Sequence, residues 1–200
     1  MRKYLILFLF SSFCLAFPPL QNADLVFVGA ENSAFSEAIS KATKKGETNY
    51  THTGIIELVG DEIFVIEANS ENGVVRTAWK DFLKANEGRA IDIMRLDEAL
   101  EFEASSIITR AKGFLGQGYD WHFYPNNDKM YCTELVYEAY LDKKGQRIFK
   151  AKAMNFYADD GTLPTFWEEN FKKLGVKVPQ GVLGTNPNDM SKSKHLHLVK

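Results

Sequence analysis

Cysteine is scarce in this chain: there are two in 200 residues, Cys14 and Cys132. The first lies in an apolar amino-terminal stretch, so a chain that loses that stretch keeps one thiol and cannot form an internal disulfide. An excess of basic charge is also missing. The 24 Lys and Arg against 26 Asp and Glu leave a formal charge of −2, and without a basic face nucleic acid is not an expected partner. No apolar run reaches the roughly 20 residues that span a bilayer. Internal repeats, low-complexity tracts and interior linkers are absent too, which leaves a single domain. The chain has no G-x-S-x-G, H-E-x-x-H, phosphate-binding P-loop or G-x-G-x-x-G, so serine-hydrolase, zinc-protease and nucleotide chemistry lack their usual signatures. No cofactor and no metal is expected. His195-Leu196-His197 puts two imidazoles on one face of an extended tail, but two ligands at a terminus expected to fray make a poor metal site.

What is present begins with an export signal. Arg2 and Lys3 form a short positive region and Tyr4 to Phe10 an unbroken apolar run. Cys14-Leu15-Ala16 then puts small residues three and one positions before a cut between Ala16 and Phe17. Cleavage there removes residues 1–16 and leaves 17–200 as one periplasmic or secreted domain. A lipoprotein signal would modify Cys14 instead, although Phe13 is large where such sites take a small residue; an uncleaved anchor is the third option. A hydrophobic content of 45% and an aromatic content of 13% indicate a folded globular domain.

The mature chain patterns as mixed α and β. Asp24 to Gly29 reads as a strand, followed by a helix from Ala34 to Lys44 with Phe35, Ala38, Ile39 and Ala42 at helical spacing. Two strands, Thr51 to Leu58 and Glu62 to Ala68, are joined by a turn at Gly60-Asp61. Val74 to Trp79 and Ala90 to Leu96 read as strand material around the polar segment Lys80 to Arg89. A long helix is expected from Asp97 to Leu115, stopped by Gly116, then a loop to Met130 and a second helix from Tyr131 to Leu141.

Cys132 therefore opens a helix. Unpaired backbone N–H groups and the macrodipole at such a position favour a thiolate and can bind the oxyanion of a tetrahedral intermediate. Taken alone, a cysteine on a stripe with Leu135, Val136, Ala139 and Tyr140 reads more simply as a small core residue. The histidines shift that balance. Of four, His52 is the one inside a strand-like run, and a base on a rigid strand facing a helix start suits a cysteine nucleophile. A third group should orient the imidazole. Alternation puts His52, Gly54, Ile56 and Leu58 on one strand face and Glu57 on the other. If Gly60-Asp61 is a two-residue loop, Val59 faces Glu62, and Glu67 falls opposite Gly54 and diagonal to His52, about 7–8 Å away between backbones. Gly54 is expected to leave the space between them open. A three-residue loop would reverse the parity and exchange Glu67 for Glu62.

Together, Asp24-Leu25-Val26-Phe27, Tyr50-Thr51-His52-Thr53-Gly54-Ile55, Phe64-Val65-Ile66-Glu67-Ala68, Gly118-Tyr119-Asp120 and Tyr131-Cys132-Thr133-Glu134-Leu135-Val136 resemble the YiiX-like group of NlpC-type papain-fold cysteine hydrolases. These are circularly permuted, with histidine before cysteine, and the order here is His52, Glu67, Cys132. Val178-Pro179-Gln180-Gly181 and Gly184 to Asp189 are similar to the end of that family, so the resemblance runs from about Asn22 to Lys200. It implies an α+β, circularly permuted papain-like fold, with a central antiparallel sheet packed against the helix that starts at the cysteine. It also implies a Cys132-His52-Glu67 triad and an acyl-transfer chemistry. The substrate expected is a peptide or lipid acyl compound, with an exported protein meeting cell wall or membrane surface. The alternative is a catalytically inactive lipid- or peptide-binding module of the same fold. Aromatic residues at 119, 121, 123, 124, 156, 157, 166 and 167 are candidates for a groove, or for ordinary core. Tyr119 and Asp120 need no function beyond ending a helix. Oligomeric state has no signature in the sequence.

Overall fold

The computed structural model describes residues 19–44 and 46–199; the expected signal segment, with Cys14, lies outside them. In chain order the elements are β1 (Leu25–Gly29), α1 (Ala34–Thr43), β2 (Tyr50–Val59), β3 (Glu62–Asn69), β4 (Gly73–Ala78), α2 (Trp79–Ala85), β5 (Ile91–Leu96), α3 (Ala104–Gly113), β6 (Gly118–Tyr119), β7 (Lys129–Met130), α4 (Cys132–Ala139), β8 (Lys152–Ala153), α5 (Thr165–Leu174), β9 (Leu183–Gly184), α6 (Pro187–Met190) and β10 (Leu196–Leu198). Six of the strands make one antiparallel sheet in the order β10-β5-β1-β2-β3-β4. Among the described residues no helix is long and apolar enough to cross a membrane.

β1 lies inside the sheet, and all five of its residues are buried, which is why its sequence is an apolar run and does not alternate. One sheet face, with Leu25, Phe27, Ile55 and Ile66, packs on Ile107, Ala111, Leu135 and Val136 of α3 and α4. The opposite face, with Val26, Ile56, Val65 and Ile93, is capped by Phe82 of α2. A third cluster joins α1 and α5 to the 119–131 loop through Ala38, Phe123, Phe156, Trp167 and Phe171. Most of its ring contacts are edge-to-face, such as Phe123–Trp167 with centroids 5.3 Å apart, a geometry that aromatic quadrupoles prefer, while Trp167 and Phe171 stack. Four of the aromatic groove candidates therefore divide: Phe123, Phe156 and Trp167 are core, while Tyr124 is exposed.

Three sequence expectations are corrected. The helix expected from Asp97 to Leu115 forms only over Ala104–Gly113. Upstream, Phe102 bridges Asp142, and the Glu101 carbonyl accepts the Lys143 N–H, so tertiary pairing takes backbone groups that a longer helix would use. The polar segment after β4 contains α2, whose Phe82 is buried and stacks on Trp79 at 5.7 Å; Trp79, Phe82 and Leu83 have helical spacing, but about two turns are too short a window for that period to stand out. The carboxyl-terminal tail is an edge strand paired with β5, and His197 Nδ1 sits 3.0 Å from Asp97.

Candidate active site

The β2–β3 hairpin closes on the two-residue loop, with Val59 opposite Glu62 and the register continuing to Ile55 opposite Ile66. The ladder stops there, one pair short of Gly54 and Glu67. On its other edge β2 carries a β-bulge: Val28 pairs with His52 and Gly29 with Tyr50, leaving Thr51 as the extra residue. A bulge re-aims side chains, and here it turns Tyr50 onto the α4 face, against Phe27. The sheet thus opens just where His52 sits. His52 Nε2 meets Glu67 Oε2 at 2.6 Å, and Glu67 Oε1 accepts the Thr77 hydroxyl at 2.7 Å. Gly54 does not leave open space between them. A Cβ there would collide with Val65 and lie 3.4 Å from the Glu67 Cβ, so glycine permits close approach of the two strands.

Cys132 is the first residue of α4 and is buried, as are Thr133, Glu134, Leu135, Val136 and Ala139. Its side chain interacts electrostatically with His52. With Nε2 engaged by Glu67, Nδ1 is the ring nitrogen left for the thiol. The helix is anchored at both ends. Tyr140 donates to the Ala23 carbonyl at 2.8 Å, and the Tyr131 hydroxyl accepts the Thr185 N–H at 3.1 Å. The Thr133 hydroxyl is buried beside Cys132 with no hydrogen-bond partner among the described residues.

The electrostatics favour a charged pair. Burial alone would lower the pKa of His52, but its interactions with Cys132 and Glu67 outweigh burial and raise it. Burial likewise opposes ionisation of Glu67, yet the bonds to His52 and Thr77 and the nearby Arg89 charge hold its carboxyl below the usual range. Arg89 is largely buried, bonded to the Gly29 carbonyl at 2.8 Å and to Thr51 Oγ1 at 3.1 Å, and its charge acts on both Cys132 and Glu67. Nothing in the sequence distinguishes Arg89 from other basic residues. Tyr119 had a visible signal in Gly118-Tyr119-Asp120. It lines both the small cavity of about 50 Å³ at Cys132 and the cleft of about 230 Å³ at His52 and Glu67. Asp120 accepts the His122 and Tyr124 N–H groups, each at 2.9 Å, and so shapes the loop before the nucleophile.

Behind the nucleophile, Glu134 accepts the Tyr131 N–H at 3.4 Å. Burial pushes its carboxyl up, to about 8, helped by the negative charge of Asp120. The folded protein therefore holds a proton that the unfolded chain releases near pH 4.3, so the Glu134 contribution is fully present below that pH and declines as pH rises toward 8. Glu134→Gln should melt at progressively higher temperature than the parent between pH 5 and pH 9. Melting curves that shift in parallel with pH would contradict this.

Comparisons with known proteins bear on the family and the fold. A family profile described as "Permuted papain-like amidase enzyme, YaeF/YiiX" matches residues 19–200. The uncharacterized protein YiiX of Escherichia coli strain K12 is 30% identical over 160 residues, spanning 80% of this chain and 75% of that protein. A crystal structure of YiiX from Escherichia coli O157:H7, described as a metalloprotein, superposes with a TM-score of 0.73 at 25% identity, covering 90% of this chain and 96% of the other.

Proposed function

Since the chain belongs to the permuted papain-like amidase family of YaeF and YiiX, with that family's fold, we propose that it is a cysteine hydrolase acting through Cys132, His52 and Glu67. One observation carries the reading: a single imidazole meets a buried carboxylate at 2.6 Å and interacts electrostatically with the lone described thiol, which opens α4. The thiolate of Cys132 attacks the carbonyl carbon of an amide, ester or thioester, forming a C–S bond and an oxyanion. N–H groups in the first turn of α4, which have no carbonyl four residues back, receive that oxyanion. His52 gives its proton to the leaving amine, alcohol or thiol, and then takes one from the water that releases the acyl group. Glu67 holds the ring orientation and stabilises the imidazolium throughout.

Export through cleavage after Ala16 is part of the same reading and makes cell-wall peptides or envelope lipids the available substrates. The solved YiiX is described as a metalloprotein. In this chain no group of three or more His, Cys, Asp or Glu among the described residues is placed to hold a metal ion, so no step is routed through one.

The test is to trap the acyl-enzyme. Incubation with p-nitrophenyl esters, thioesters and anilides should give an acyl adduct on the Cys132 peptide by mass, with a burst of leaving group, and Cys132→Ala should lose both. Undiminished turnover in Cys132→Ala would overturn the mechanism. Absence of any adduct in the parent, with ligand binding intact, would favour the binding module.

A further inference from the structure

A second cleft, of about 250 Å³, lies beside the nucleophile cavity and shares the walls Met154, Thr185 and Asn186 with it. The partition between them is thin. A Cβ on Gly184 would come within 2.5 Å of Met154 Sδ and 2.7 Å of the Tyr131 hydroxyl, and Tyr131 is the residue before Cys132. The charge of this second cleft sets it apart in a chain of net −2. Lys150, Lys152, Lys192, Lys194 and His195 line it, and Asp189 is the one lining carboxylate among the described residues. Asp189 lies 3.5 Å from Lys152 and accepts from Asn186 at 3.1 Å. The side chains of Met154 and Met190 are buried beneath this rim.

Four ammonium groups around one depression attract an anion, and their chemistry narrows which one. No arginine lines the cleft, so the planar fork that pairs two-for-two with a carboxylate is missing. Lysines act as separate point charges, which suits a tetrahedral oxyanion of charge between −1 and −2, reachable from several sides. We propose that this cleft is a phosphate subsite, binding a phosphoryl group carried by the molecule whose acyl bond is opened at Cys132. The link to Cys132 rests on the hydrolase reading; phosphate binding itself does not. The cleft then orients its substrate, with the phosphoryl group at the lysines and the acyl carbonyl on the far side of the Met154–Thr185 partition.

Binding should be measured by calorimetry on the intact chain, with sn-glycerol 3-phosphate, dihexanoylphosphatidylglycerol below its micellar concentration, and glutarate as a dicarboxylate. The comparison variants are Lys150→Gln with Lys194→Gln, and Lys172→Gln with Lys173→Gln on α5, away from the cleft. A phosphate probe should bind more tightly than glutarate. Its dissociation constant should rise at least about tenfold in the Lys150→Gln, Lys194→Gln pair, as expected for two lost charge contacts, and stay unchanged in the α5 pair. Binding of glycerol 3-phosphate with that lysine dependence identifies a water-soluble phosphoester as the source; binding of the phosphatidylglycerol alone identifies a lipid headgroup. Either supports the subsite. Glutarate binding as tightly as phosphate, no binding by either phosphate probe, or an affinity indifferent to Lys150 and Lys194 would overturn it. Repeating the titration in Cys132→Ala separates the two readings: a failed hydrolase mechanism leaves phosphate binding in place, and a failed subsite leaves the acyl adduct on Cys132 in place.

Discussion

Replacing His52 by alanine is expected to slow acylation of Cys132 by about 10²- to 10⁴-fold, the usual contribution of a positioned acid–base group. The same substitution tests the resting site without any substrate. At pH 6 an unassisted thiol of reference pKa about 8.5 is only about 0.3% ionised. In general a neighbouring imidazolium favours a thiolate, and the lower basicity of such a thiolate returns part of the gain through a Brønsted slope of about 0.4–0.5. Iodoacetamide should therefore modify Cys132 at pH 6 at least about ten times faster in the parent than in His52→Ala, with the rates converging toward pH 9.5. Mass analysis of the Cys132 peptide provides the readout. Equal rates at pH 6 would mean that the electrostatic interaction between His52 and Cys132 has no chemical consequence. The signs for stability agree with this charge state. The raised His52 contributes stability that is fully present below pH 6.5 and is lost as pH climbs through its higher folded value. The depressed Glu67 contributes stability above about pH 4.3 that is lost as pH falls through its lower folded value.

The second large effect is structural and lies at Gly73, where β3 turns into β4. Its φ is +72°, and a Cβ added there would collide with the Gln117 carbonyl oxygen and lie 2.9 Å from the Gly118 Cα. Both neighbours are backbone, and neither can rotate away. The Gln117 carbonyl also accepts the Val74 N–H at 2.8 Å, while Gly116 donates to the Val74 carbonyl at 2.9 Å. Gly73→Ala combines a left-handed backbone with overpacking, about 1 kcal/mol and about 1–3 kcal/mol respectively. At roughly 2–4 °C per kcal/mol for a chain of this size, the melting temperature should drop by about 5–15 °C. Because this contact also sets the path into Tyr119, the variant should lose Cys132 reactivity as well as stability. A melting temperature within 2 °C of the parent, on the order of the change expected for an ordinary surface substitution, would show that the strands part easily at this point.

Between these two positions the division of information in the chain is visible. The hairpin was legible because Gly60-Asp61 permits a two-residue loop and side chains alternate with a period of two. Counting back from the turn put Glu67 and His52 on one face, and the two meet at 2.6 Å. The helix start at Cys132 was legible because Leu135, Val136 and Ala139 recur at helical spacing and are buried together. The long helix before it was not, because a stripe from Ala104 onward says nothing about Phe102 pairing with Asp142, forty residues away. The bulge at Thr51 and the early end of the β2–β3 ladder escaped for a related reason: each depends on what the neighbouring strand does.

By itself the sequence determined the order of elements from β1 to β3, the strand parity, the residue that opens the nucleophile helix, and a family resemblance specific enough to name a permuted papain-like fold. All of these rest on local periodicity and on short motifs, which a linear chain carries explicitly. Only the tertiary structure decided that Arg89 and Tyr119 stand at the site, that Gly54 is there because Val65 crowds it, and that lysines from 150 to 194 gather around one cleft. Those are juxtapositions of residues far apart in the chain. They follow from how the sheet, α4 and the carboxyl-terminal segment pack, and no local pattern encodes them.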